Sequence, residues 1–321
     1  MKRRLLLRSV AAGLPALLPR IAPAQPAPRR VGVLAPSTAA REAVTLKPFF
    51  EEMRQLGWIE GQNITFDRVY ADDRMEDLPQ RAAELVARRP DLIYAPPQPA
   101  AVAARRATAS IPIIFATATD PVGAGLVGSL ARPGGNATGI GQFDSLAPKS
   151  LQLLREMLPR VRRVGLVGAS GDPRFALDRD ALKQLLGAGL QAIPAQNPAE
   201  VEAALQTLVK SGVEAIFTTS SLLFNRRERV IELTLPQRVP VVGHRGPMAE
   251  AGALFSYGPS LAGQIRASAQ FVDKVLRGAN PAELPVQQPT TVELVVNLRT
   301  AGALGIAVPR TVLLRAERVI E

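Results

Sequence analysis

The stretch Ile111–Gly141, IPIIFATATDPVGAGLVGSLARPGGNATGIG, decides the fold. Ile111-Pro112-Ile113-Ile114-Phe115 is a short apolar, β-branched run and predicts a buried strand. The chain leaves that strand through Thr117, Thr119 and Asp120. It passes Gly123, Gly125, Gly128, Gly134 and Gly135 before a second short strand at Thr138–Ile140. A long, glycine-rich, nearly uncharged loop at a strand's C-terminal edge is expected to have a task. We read it as one wall of a ligand cleft, followed by the point where the chain leaves its first lobe.

Working outward, strands alternate with amphipathic helices. Upstream, strands near 31–34, 64–69 and 92–94 alternate with helices near 43–56, 78–88 and 100–108. Downstream, the pattern starts again. Helices near 149–157, 176–186, 199–210 and 226–235 separate strands near 164–167, 190–193, 215–218 and 239–242. Serial βαβ units imply parallel sheets covered on both faces. The repeat is visible in the letters. Arg29-Arg30-Val31-Gly32-Val33-Leu34 returns as Arg162-Arg163-Val164-Gly165-Leu166-Val167, and Ile111-Pro112-Ile113-Ile114 returns as Val239-Pro240-Val241-Val242. The fold class is therefore α/β, with two similar doubly wound lobes. The tail adds a strand near 254–257, a helix near 261–277 and a strand near 292–296.

A chain of 321 residues suits two lobes of ordinary domain size. With no cysteine, disulfides, thiolate metal sites, a cysteine nucleophile and an N-terminal lipid anchor are excluded. Residues 1–24 read as a cleavable export signal: a basic start at Lys2, Arg3 and Arg4, an apolar Leu5–Leu18, and a small-residue site at Ala22-Pro23-Ala24. Arg3-Arg4 also fits a twin-arginine signal, so the periplasm is reached by the Sec or the twin-arginine route. That segment holds Lys2, Arg3, Arg4, Arg8 and Arg20 and no acid, so of the formal charge of +11 the mature chain keeps +6. The remaining Arg residues alternate with Asp and Glu, and aromatics are few, which argues against nucleic acid as a partner.

Gly123-Ala124-Gly125-Leu126-Val127-Gly128 matches G-x-G-x-x-G, but it does not sit on a strand end or open a helix, so dinucleotide binding is not supported. His244 is the sole histidine, and there is no G-x-S-x-G elbow. No metal, cofactor or catalytic residue is expected. Small polar residues do gather after strand C-termini, the edge where parallel α/β sheets bind ligands. The expected ligand contacts are Ser37, Gln98, Thr117, Asp120, Phe143, Ser170, Thr219, Ser220, His244 and Tyr257. Helix N-termini after Ser37 and Ser170 are expected to offer free N–H groups to a carboxylate. Asp120 and Arg245 are the main acid and base of this edge, and Asp120 precedes a proline, the usual place of a turn residue.

DPVGAGLVGSLARPGGNATG, residues 120–139, resembles the signature of a family of ABC-transporter substrate-binding proteins with tryptophan- and phenylalanine-binding members. The similarity extends over LGWIEGQNITF (56–66), SYGPSL (256–261), VDKVLRGANPAELPVQQPT (272–290) and ELVVNLRTAGALGIAVP (293–309). The resemblance implies a periplasmic-binding-protein fold of type I with three crossings between lobes, near Gln142, Gly252 and Asn280. The lobes are then 29–142 with 252–279, and 143–251 with 280–321. It also implies a monomer that hands a small carboxylate-bearing, amino-acid-like or aromatic ligand to an ABC permease. Amino-acid binders of the family tend to carry an Asp in the third-strand loop of the second lobe. Here that loop is Thr218-Thr219-Ser220-Ser221, which leaves an ammonium group without its partner there.

The competing reading is an enzyme on a two-lobe α/β fold, such as a sugar or nucleotide-sugar transferase. Acidic pairs or a basic phosphate clamp at the strand ends would mark it, and the sequence offers neither. A sugar-type transcription regulator shares the fold, but the export signal occupies the place of its DNA-binding helices.

Overall fold

The computed structural model describes residues 27–142 and 144–321; the expected signal at 1–24 and the candidate Phe143 lie outside the described residues. The first sheet has five parallel strands: β1 (Arg29–Ala35), β2 (Ile64–Tyr70), β3 (Leu92–Tyr94), β4 (Ile113–Thr119) and β5 (Ala137–Gln142), in the order β2-β1-β3-β4-β5. Its helices are α1 (Ala39–Thr45), α2 (Lys47–Gln55), α3 (Leu78–Ala87) and α4 (Gln98–Ala107). The helix expected at 43–56 is thus two helices. Thr38 caps the first, and Pro48 opens the second, which suits a residue with no N–H to donate.

The second lobe begins with α5 (Ala147–Met157). It continues through β6 (Val164–Ala169), α6 (Pro173–Leu186), β7 (Leu190–Ala195), α7 (Pro198–Ser211) and β8 (Ala215–Thr218). Then come α8 (Ser220–Phe224), α9 (Arg227–Thr234), β9 (Val241–Gly243), α10 (Gly246–Glu250) and β10 (Phe255–Pro259). After α11 (Leu261–Leu276), the chain adds β11 (Val292–Asn297), α12 (Leu298–Leu304), α13 (Arg310–Leu313) and β12 (Arg318–Ile320). The second sheet runs β12-β11-β10-β9-β8-β6-β7, with β11 antiparallel to β10 and every other pair parallel. Each sheet is apolar on both faces. Val31 and Val33 pack with Phe49, Met53 and Val272 on one side of the first sheet, while Leu34, Ile93 and Phe115 pack with Leu85 and Ala104 on the other. Gly32 and Gly165 hold equivalent places, and a Cβ on either would press into Leu85 of α3 or Leu208 of α7 at 2.8 and 2.7 Å.

Two of the three crossings fall later than expected. The first follows β5, which ends at Gln142. The second is not near Gly252: β10 pairs with β9 and β11, so residues up to Pro259 stay with the second sheet. The crossing is at Ser260, whose hydroxyl accepts the Gly263 N–H to start α11 against α2 and β4. The third is not near Asn280. Val286 N–H donates to Leu130 O at 2.8 Å, and Gly141 N–H to Gln287 O at 2.9 Å, which keeps the chain on the first lobe. It leaves across 288–291, where Ser260 N–H donates to Thr291 O and ties the last two crossings together.

Candidate ligand cleft

The C-terminal ends of the parallel strands of both sheets face a cavity of about 600 Å³, the range of small-molecule sites. The first lobe supplies an apolar wall from α3, α4 and the turn before them, with Met75, Leu78, Val102 and Ala107. At its rim stand Gln98, Thr117 and Thr119. The register between β4 and β5 shifts between Phe115 and Ala118, and this irregularity turns Thr117 toward the gap. Gln98 is held there because its Oε1 accepts the Thr119 N–H at 2.7 Å.

Most of the charge comes from the second lobe. Arg174, in the first turn of α6, lies 3.9 Å from Asp178 and donates to Asp144 O at 3.3 Å. Asp178 also accepts from the Ser145 hydroxyl at 2.6 Å. Asp172 caps α6 by accepting the Arg174 N–H at 2.9 Å. Burial raises the carboxyls of both Asp172 and Asp178, and Arg174 pulls the other way. His244 Nδ1 sits 3.1 Å from Thr218 O; burial, with Arg245 and Arg174 nearby, holds its ring well below the usual histidine range and therefore neutral. Arg245 lines the cavity with the Phe224 ring 5.7 Å from its guanidinium, and it makes no ion pair among the described residues. Burial and Arg174 push its pKa down to about 10, so it remains a cation at neutral pH.

Of the expected contacts, Gln98, Thr117, Ser170, Ser220, His244 and Tyr257 are brought together on this cavity. Three are not. Asp120 is a turn residue: its backbone is left-handed (φ 47°) and its Oδ1 accepts the Gly123 N–H at 2.9 Å. Thr219 is fully buried, with its methyl against Gly168. Ser37 lies in a separate, smaller cavity. The glycine-rich loop is no cleft wall either. Leu126 and Val127 anchor it in the first core, and the cavity is reached only by Thr117 and Thr119 before it and Gln142 after it. Nor is the helix end after Ser170 vacant, because the Asp172 carboxylate occupies it.

The sequence reading missed Asp172, Arg174 and Asp178. An Arg and an Asp four apart on a helix look like any surface pair; only their burial, 12% and 9% exposed side chains, sets them apart. Ser220 carried a further sign that only the structure gives: a left-handed backbone (φ 80°), held by its hydroxyl accepting the Ala169 N–H at 3.1 Å. Strain of that kind in a non-glycine residue gathers at functional sites.

The chain is 28% identical over 261 residues, 80% of its length and 75% of the other's, to a tyrosine-binding protein of Clostridioides difficile. A Streptococcus pneumoniae ABC domain solved in complex with L-Trp is 25% identical, superposes with a TM-score of 0.84, and the match covers 92% of this chain and 100% of that one. A ligand-free, open substrate-binding protein from Clostridium difficile is 26% identical with coverage of 91% and 99%, yet its TM-score is 0.65. Residues 31–320 match the family described as ABC transporter substrate binding protein; with two α/β lobes that line one cavity at their strand ends, this chain belongs to that family.

Proposed function

We propose that the protein is exported to the periplasm, binds a carboxylate-bearing, amino-acid-like or aromatic molecule between its lobes, and delivers it as a monomer to an ABC permease. The observation that carries the ligand's charge is Arg245, a cavity-lining cation without an ion pair among the described residues. Asp172 and Asp178 are committed to a helix cap, to Ser145 and to Arg174, so they leave Arg245 available to an anion. The apolar wall of α3 and α4 suits a ring or an alkyl chain. The relatives' ligands, tyrosine and tryptophan, have this combination of carboxylate and ring. Three crossings, the last two tied together by the bond from Ser260 N–H to Thr291 O, form a hinge about which the lobes close.

Binding rather than chemistry fits the site's groups. Its one histidine is neutral and turned to a backbone carbonyl, and its carboxyls are already bonded. Calorimetry on the mature chain with aromatic amino acids and aromatic carboxylates tests the reading. A ligand should bind, and Arg245→Gln should weaken it tenfold or more; unchanged affinity in that variant overturns the assignment of Arg245.

A further inference from the structure

A second cavity, about 40 Å³, adjoins the first and shares Thr117, Ser221 and Arg245 with it. Both lobes build it. The first contributes Ser37 and Glu42, and the second contributes Asn225 and Arg245. Ser37 Oγ and Asn225 Nδ2 are buried without a hydrogen-bond partner, although the residues are only 1% and 8% exposed. Buried polar groups are nearly always paired, so two orphans from opposite lobes facing one space call for an occupant. Glu42 is 6% exposed and makes no ion pair among the described residues; its neighbour Arg41 is turned to Asp73 at 3.1 Å. A small space thus has a carboxyl and a hydroxyl on one lobe, and a guanidinium and an amide N–H on the other. One water needs roughly 10–15 Å³ of such volume, so the space admits a few heavy atoms and not a ring.

We propose that this cavity is the head-group subsite for a zwitterionic α-amino acid. The ammonium is taken by Glu42 and Ser37, the carboxylate by Arg245 and Asn225, and the side chain extends into the large cavity. The inference rests on the large cavity being the ligand site and adds what the second-lobe loop lacks, an acid for the ammonium. Each lobe then holds one charge of the same head group, so only a ligand with both charges bridges the lobes through this subsite.

Calorimetry on the mature chain with L-phenylalanine, 3-phenylpropanoate and phenethylamine, and with the matching tryptophan and tyrosine sets, decides it. An amino acid should bind at least tenfold more tightly than its deaminated acid or its amine. Glu42→Gln should abolish that margin and change the acid's affinity less than twofold, and Ser37→Ala should reduce the margin in the same direction. An acid that binds as tightly as its amino acid overturns the proposal and marks the cavity as filled by water only. Equal weakening of both ligands in Glu42→Gln overturns it as well, in favour of a structural role. Either result leaves the effect of Arg245→Gln on the acid standing, so the wider reading of the cleft fails or survives separately.

Discussion

The first sheet, in the order β2-β1-β3-β4-β5, returns in the second lobe as β7-β6-β8-β9-β10, with β11 and β12 added beyond. Backbone details return with it. Gly32 and Gly165 let a helix press onto the first strand of each lobe. Gly139 on β5 and Gly258 on β10 each make room for a carbonyl, of Phe115 and His244 respectively, which a Cβ would meet at 1.9 Å. The cleft faces differ. The first lobe gives the large cavity a mostly apolar helical wall with one cation, Arg106, whereas the second gives it Asp172, Arg174, Asp178 and Arg245. The fold repeats because both lobes must bury the same sheet faces. Loops at the strand ends are free of that demand, and there the two lobes take complementary roles.

The paired glycines give the largest expected effect. Gly139 also has φ 152°, so alanine there adds backbone strain to the clash with Phe115 O. Overpacking and a strained backbone together are expected to cost about 3 kcal/mol or more. Gly139→Ala should therefore lower the urea midpoint strongly while the surviving folded protein keeps its affinity within about threefold, an effect of well under 1 kcal/mol. Gly258→Ala strikes the carbonyl of His244, the residue before Arg245. It should lose binding as well as stability, by tenfold or more in affinity, which corresponds to about 1.4 kcal/mol. Equal binding losses in the two variants would break the division between a scaffold lobe face and a charged one.

Next in size is a pH effect on the one acid that the first lobe brings to the small cavity. Burial raises the Glu42 carboxyl from 4.5 to about 7, against the pull of Arg41 and with Asp73 adding to the rise. Tyr70, Tyr94 and Arg245 also lie around it. Because the folded value is above the unfolded one, folding favours the protonated form. That stability is full below pH 4.5 and is lost as pH rises through about 7. The loss amounts to at most about 3 kcal/mol. Glu42→Gln should flatten this part of the stability curve of the ligand-free protein, measured by urea unfolding between pH 4.5 and 8. A variant curve parallel to the wild type would place Glu42 in water and remove it from the small cavity. Asp172 and Asp178 shift in the same direction, so the difference between the curves, not the slope of either, is the readout.

The sequence made the two lobes legible because buried parallel strands are written locally, as Val-Gly-Val-Leu or Ile-Pro-Ile-Ile between helical periods. It also pointed to the strand-end residues Gln98, Thr117, Ser170 and His244, which the topology brings together. Pairing partners are not local. The strand near 254–257 could be read from its letters, but only its bonds to β9 and β11 say which lobe owns it. The same holds for β12, a three-residue strand that exists by pairing with β11. Glu42 was illegible because the helix read from the sequence starts near 43 and leaves it an ordinary acid at the helix entrance; the structure puts it in the first turn of α1. Its burial comes from tertiary packing by both lobes around the small cavity, which the letters of one helix do not record.

The smallest effect concerns Ser170, and it tests whether the anion belongs to Arg245 or to the end of α6. A free helix N-terminus would make Ser170 part of a charge-assisted site, worth about 1.5–3 kcal/mol. The structure puts the Asp172 carboxylate at that end, where it accepts the Arg174 N–H and presents like charge to any incoming anion. The Ser170 N–H is spent on Ala195 O at 2.9 Å. What is left for a ligand is the hydroxyl, a neutral hydrogen bond worth about 1 kcal/mol, or roughly fivefold in affinity. Ser170→Ala should therefore weaken binding by about that factor, less than Arg245→Gln, with the unfolding midpoint unchanged. A loss approaching a hundredfold in calorimetry, about 2.7 kcal/mol, would return the anion to α6. It would also undo the assignment of the anion to Arg245, in the loop after β9.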